Sequence, residues 1–138
     1  MKINPYLMFD GQAEAAFQLY TKVLKGEIKA LMRYRETPEC AEMPEPFLDR
    51  VMHVCLEVDG QLLMASDTAS AEPFSGMKGC SITLNVASIS EAQRIFDALS
   101  EQGTVEMPLA QTFWAVRFGS LVDRFGVSWL INCEKDDA

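Results

Sequence analysis

Histidine is almost missing from this sequence, with His53 alone among 138 residues. Basic residues are also scarce, 12 Lys and Arg against 20 Asp and Glu, for a formal net charge of -8. Such a surface repels polyphosphates, and no stretch clusters basic residues with interleaved aromatics, so nucleic acid is not an expected partner. The four cysteines, Cys40, Cys55, Cys80 and Cys133, lack any C-x-x-C spacing and read as reduced thiols. No apolar run approaches the ~18 residues needed to span a bilayer, and Met1-Lys2-Ile3-Asn4-Pro5 lacks an apolar signal core. These absences predict a cytoplasmic protein with neither a membrane nor a nucleic-acid partner.

What is present is an internal repeat. Residues 4–65 and 80–131 each read as a strand, a helix and three further strands. In the first, apolar residues Ala16, Phe17, Tyr20, Val23 and Leu24 share one helical face, and Gly26 stops the helix. In the second, Ala92, Ile95, Phe96 and Leu99 form an i, i+3, i+4, i+7 stripe that ends at Gly103. Ser88 and Ser90 each stand three residues before a Glu or Gln, the spacing of a capping box. The helices superpose with Ala16 on Ala92 and Tyr20 on Phe96, and later Gly60 falls on Gly126. The offset shrinks between those points because residues 37–46, an acidic proline-rich loop, have no counterpart in the second half. That loop reads as a lid, an interface element or a plain surface excursion.

Period-two alternation places Met52, Val54, Leu56 and Val58 opposite His53, Cys55 and Glu57, and Ile82, Leu84 and Val86 opposite Ser81, Thr83 and Asn85. One face of each strand set should pack on its helix. The other should face a cleft shared by the modules, 1–67 and 80–133, with linker 68–79, in one α+β domain.

The cleft-facing residues define the candidate site. His53, with Glu57 at the same parity, reads as a general base tuned by a carboxylate, or as a structural histidine satisfied by a neighbour. Ser81, Thr83, Asn85, Ser128 and Asn132 suit recognition of a polar small molecule, or else bond one another. Trp114 and Arg117 could supply an aromatic wall and an anion clamp, with Phe113 beside them, while Trp129 has core parity. Of the eight methionines, Met8, Met32, Met52 and Met64 fall in strand patterns and read as fillers of irregular core gaps, and Met64 has the best claim among them to line the cleft.

These segments together resemble the vicinal-oxygen-chelate (glyoxalase/bleomycin-resistance/dioxygenase) superfamily, and within it the PhnB-like group. The carrying stretches are 4–11, 16–20, Met52-His53, 63–67, 107–114 and 123–132. The resemblance implies paired βαβββ modules, a curved mixed sheet around a central cleft, and assembly as a homodimer. Metal-dependent members place His, Glu or Gln on the first and fourth strands of each module. By repeat register those positions are Pro5, Met64, Ser81 and Leu130, or with a one-residue shift Tyr6, Ala65, Ile82 and Ile131. Neither set suits a hard or borderline dication, so no metal and no cofactor is expected. PhnB-like sequences also carry the label 3-demethylubiquinone-9 3-methyltransferase. This sequence lacks the Gly-rich strand-to-helix turn and doubly wound alternation that usually hold S-adenosylmethionine.

The resulting expectation is a metal-free protein that binds a small polar or aromatic molecule. The alternative is a metal-dependent lyase, isomerase or dioxygenase with a displaced site at His53 and Glu57, helped by Asp67 or Cys55. A third reading makes dimerisation or partner binding the whole function.

Overall fold

The computed structural model describes residues 1–137 and divides into two compact units, Met1–Gly76 and the chain from Met77 onward. The first unit runs β1 (Tyr6–Phe9), α1 (Ala13–Leu24), β2 (Glu27–Arg33), β3 (Val51–Val58) and β4 (Gln61–Asp67). The second runs β5 (Ile82–Asn85), α2 (Ile89–Ser100), β6 (Thr104–Ala110), β7 (Arg117–Val122) and β8 (Ser128–Cys133). Each unit folds its four strands into a mixed sheet, ordered β1-β4-β3-β2 and β5-β8-β7-β6. In both, the first and fourth strands pair in parallel and the remaining pairs are antiparallel.

The helical stripes seen in the sequence become the buried faces. Helix α1 buries Ala13, Ala16, Phe17, Tyr20 and Val23. Phe17 meets Phe9 of β1 edge-on at 6.3 Å between centroids. Burying one such ring fully stabilises the unit by roughly 2–3 kcal/mol. Leu24, on the same stripe, is only half-buried because the helix ends there, in the left-handed residue Lys25. In the second unit Ala92, Ile95, Phe96 and Leu99 are all buried, as are Trp129 and Ile131 of β8. Of the two capping serines, Ser88 is the cap: its Oγ accepts from the Glu91 amide at 3.1 Å.

Gly26 and Gly103 hold corresponding places after the two helices, and neither has a positive φ. Each lies against a strand's backbone. A Cβ on Gly26 would stand 2.5 Å from the Glu57 carbonyl oxygen, and one on Gly103 2.4 Å from that of Val122. Glycine is needed there for space rather than for backbone freedom.

Residues between β2 and β3 form three short 3-10 turns, Tyr34–Glu36, Pro38–Glu42 and Glu45–Phe47. The corresponding link from β6 to β7 is a short turn, Gln111 to Val116, held by Thr112, whose Oγ1 accepts from the amides of Trp114 and Ala115.

Candidate functional site

Each sheet covers one face with its helix and leaves the other to be described by register. In the first unit Tyr6 pairs with Met64 and Met8 with Ser66, while Cys55 also pairs with Met64 and Met32 with His53. Tyr6, Met64, Cys55, Ser66 and His53 therefore share the face away from α1. Leu7, Phe9, Ala65 and Asp67 have the opposite parity and are buried.

On that face three side chains form a directed hydrogen-bond chain. Ser66 Oγ donates to the Met52 carbonyl at 2.7 Å, an acceptor that has no proton to offer. Ser66 Oγ must then accept from the Tyr6 hydroxyl, with which it is in close contact. The single phenolic proton is thereby spent. The Tyr6 oxygen, 3.3 Å from His53 Nδ1, can only accept, so Nδ1 carries the imidazole proton and Nε2 of neutral His53 keeps its lone pair. The rings of Tyr6 and His53 also stack, with centroids 5.9 Å apart and planes at 30°.

Glu57 does not enter this cluster. Four residues along a strand amount to ~13 Å, and the partner of His53 is Tyr6. Asp67 is committed elsewhere. Its Oδ1 accepts from the amides of Gly11 (2.9 Å) and Ala13 (3.0 Å), and its Oδ2 from Val51 (2.9 Å). Gln12, which precedes α1, makes no side-chain cap. The carboxylate of Asp67 takes that role from the end of β4, where it also favours the positive end of the helix. Cys55 lies on the His53 face but is buried.

Strand periodicity does not single out Tyr6 or Ser66. Tyr6 enters the sequence pattern only as a shifted metal position, whereas its phenol sets the state of His53. Ser66 has the same parity as Met64, the signal that would have placed it beside the cluster.

The second unit's face away from α2 carries Thr83 paired with Leu130, Asn85 paired with Asn132, and Phe118 paired with Asn132. The polar residues here bond one another. Ser81 Oγ meets Ser128 Oγ at 2.6 Å. The Trp114 indole N–H donates to Asn132 Oδ1 at 3.1 Å, and Asn132 Nδ2 donates to Asn85 Oδ1 at 3.1 Å. Because an indole can only donate, both amide orientations follow, and Asn85 is left presenting its own amide N–H groups from an exposed position. Thr83 is exposed beside it.

Trp114 also packs edge-on against Phe113 and Phe118, with centroids 4.9 and 5.1 Å apart. Phe113 itself is 96% exposed. Arg117 donates to the Val116 carbonyl at 2.7 Å. Trp129 is fully buried and donates to Asp123 Oδ2 at 2.9 Å, in keeping with its core parity.

The residues at the superfamily's metal positions do not fit a divalent cation. Pro5, Met64, Ser81 and Leu130 offer no ligand atom, a thioether, a hydroxyl and an alkyl group, and the strand partners of Met64 and Leu130 are Tyr6 and Thr83. Pro5 lies just before β1, where its carbonyl accepts from the Met64 amide at 3.2 Å. Among the described residues no three His, Cys, Asp or Glu side chains gather as a potential metal site. No described helix is long and apolar enough to cross a membrane.

Residues 1–132 match the model of a family described as 3-demethylubiquinone-9 3-methyltransferase. Protein YjdN of Escherichia coli strain K12 is 32% identical, the alignment covering 98% of this chain and 97% of that protein. The crystal structure of PA1353 from Pseudomonas aeruginosa shares 48% identity over 99% of both chains, with a TM-score of 0.91. A structure from Bacillus cereus, described as a putative 3-demethylubiquinone-9 3-methyltransferase and PhnB protein, shares 29% identity with a TM-score of 0.81. It covers 96% of this chain and 99% of its own. A structure from Nocardioides described as a glyoxalase/bleomycin resistance protein/dioxygenase, 18% identical with a TM-score of 0.60, shares the fold, as does a fosfomycin resistance protein from Listeria monocytogenes at 8% identity and a TM-score of 0.62.

Proposed function

Since this chain belongs to the PhnB-like family described as 3-demethylubiquinone-9 3-methyltransferase, on the glyoxalase/bleomycin-resistance fold, we propose that it is a metal-free protein that binds a small polar or aromatic molecule. The observation that carries this reading is the chain from Met52 through Ser66 and Tyr6 to His53. It holds His53 with Nε2 as an acceptor, beside an exposed phenol ring able to stack on a ligand. A ligand hydroxyl or N–H is the complementary group. Asn85, with Trp114 and Thr83 near it, separately presents amide donors on the second unit's own sheet face, which suit a carbonyl or carboxylate.

Homodimeric assembly goes with this reading. The edge strand β6 exposes Val105 and Met107, an apolar edge of the kind that pairing or covering usually protects. Four free thiols fit a cytoplasmic setting.

The metal-dependent alternative is less well supported, because Glu57 and Asp67 do not come to His53. The experiment is a thermal-shift screen of small phenols, aromatic acids and amides on untagged protein, repeated on His53→Ala and Tyr6→Phe, with elemental analysis of the same sample. Binding raises the melting temperature by mass action. Hits that lose their effect in both variants support the reading. One stoichiometric divalent metal per chain would sink it.

A further inference from the structure

Where Met32 of β2 stands beside His53 at the end of the first unit's sheet face, the 3-10 turns after β2 wall a cavity of ≈ 710 Å³. Met32 of β2, Met52 of β3, Met43 and Tyr34 supply its apolar lining, and Glu36 and Glu42 its charge. All of these belong to the first unit. The second repeat has a short β6–β7 link in place of these turns.

We propose that this cavity is a binding site for a small organic cation with an aromatic body. The volume lies in the ~300–1,000 Å³ range of small-molecule sites. Thioether sulfurs favour contact with an aromatic ring, and three methionines can adapt to its outline. The Tyr34 ring can face a positive centre. Charge decides the class of ligand. Among the described residues no Lys, Arg or His lines the cavity, and both of its carboxylates are glutamates. The arginines nearest in sequence do not neutralise them. Arg33 is engaged bidentately by Glu14, at 2.9 Å to each oxygen. Arg35 is engaged by Asp49 at 2.9 Å and Glu45 at 3.2 Å. An anion would meet two carboxylates without a counter-charge, and a neutral ring would leave them unused.

Tyr34 is held in place from behind. Its hydroxyl donates to the Asp67 carbonyl at 2.8 Å, and Thr37 donates to the Tyr34 carbonyl at 2.8 Å. The wall is thus anchored to the end of β4, and the ring does not depend on the ligand for its position.

The test compares three probes that share one ring: benzyltrimethylammonium, benzyl alcohol and phenylmethanesulfonate. Each is titrated by calorimetry and by NMR of protein labelled at the methionine methyls. The expected result is binding of the cation about fivefold or more tighter than the alcohol, with no binding of the sulfonate. Methyl shifts should fall on Met32, Met43 and Met52 and spare Met8, Met64 and Met107. The Glu36→Gln, Glu42→Gln double variant should bring cation and alcohol to similar affinity. Both glutamates are exposed, so the fold should tolerate the change. A salt titration of the unaltered protein reads the same charge dependence without any variant.

Equal affinity for the three probes, or no binding of any, would overturn the proposal. So would a cation preference that survives the double variant, or shifts at Met8 and Met64 instead. Shifts at Met32, Met43 and Met52 that follow protein concentration without a probe would assign the cavity to a second copy of the chain, and would also overturn it.

Discussion

Tyr6 Oη lies 3.3 Å from His53 Nδ1, and the direction of that hydrogen bond is decided two residues away, at the carbonyl of Met52. The carbonyl can only accept, and each hydroxyl in turn has a single proton to give. The imidazole tautomer is the last consequence. Nitrogen-detected NMR of the neutral His53 ring should find Nδ1 protonated and Nε2 bare. Tyr6→Phe should return the ring to a mixture of tautomers with little loss of stability, since Tyr6 is 47% exposed. A ring protonated mainly on Nε2 in the unaltered protein would contradict the hydrogen-bond chain.

Asp67 is a structural carboxylate, and its removal should be felt across the first unit. Asp67→Ala leaves the amides of Gly11, Ala13 and Val51 without their acceptor. At ~1–3 kcal/mol for each buried unsatisfied group, a loss of about 3 kcal/mol or more is expected in denaturant unfolding. Asp67→Asn, which keeps one acceptor oxygen, should cost less. A loss below about 1 kcal/mol in the alanine variant would show that water replaces the carboxylate readily.

Tyr34 gives the protein an alkaline limit. Burial pushes its phenol above the ordinary value of 10.0, helped by the Asp67 and Tyr6 charges and opposed by Arg50. The neutral phenol is therefore favoured by folding. Its contribution is fully present below the unfolded value, and it is lost as pH rises through the higher folded value. Absorbance titration should find a late-ionising tyrosine signal that Tyr34→Phe removes. Stability should fall with pH above about 10, with a shallower fall in Tyr34→Phe.

The four free cysteines should differ in reactivity. Burial raises the Cys133 thiol above its usual range, and Asp136 adds to the effect. Its Sγ also donates to the Lys135 carbonyl at 3.4 Å. Cys80 is exposed. A disulfide reagent should modify Cys80 first and Cys133 only on unfolding, because the thiolate is the attacking species. Early modification of Cys133 would mean that the end of β8 opens locally.

Most of the architecture could be read from the chain because it is periodic. The stripe from Ala92 to Leu99 and the alternation through Ile82, Leu84 and Val86 locate α2 and β5 with no tertiary information. The polar residues of the second unit were legible as a set by parity, while the pairs they form, Ser81 with Ser128 and Asn85 with Asn132, follow from the parallel β5–β8 pairing. The first unit was harder. The Tyr6–Ser66–His53 cluster joins positions 47 and 60 residues apart in sequence, through a parallel pairing whose register no local signal sets. Glu57 misled because shared parity gives a side but not a distance. Asp67 misled in another way, since a carboxylate at the end of a strand serves backbone amides as readily as it serves a metal.

The asymmetry of the repeat is a natural deletion experiment. The second unit makes the same βαβββ topology, with the same parallel closing pair, using only a short turn where the first spends three 3-10 turns. Folding of the motif therefore does not demand the longer segment. Residues 37–46 are free to change in length and composition without disturbing strand pairing, so this stretch is where relatives of the same fold can diverge in what they hold while remaining alike in how they are built.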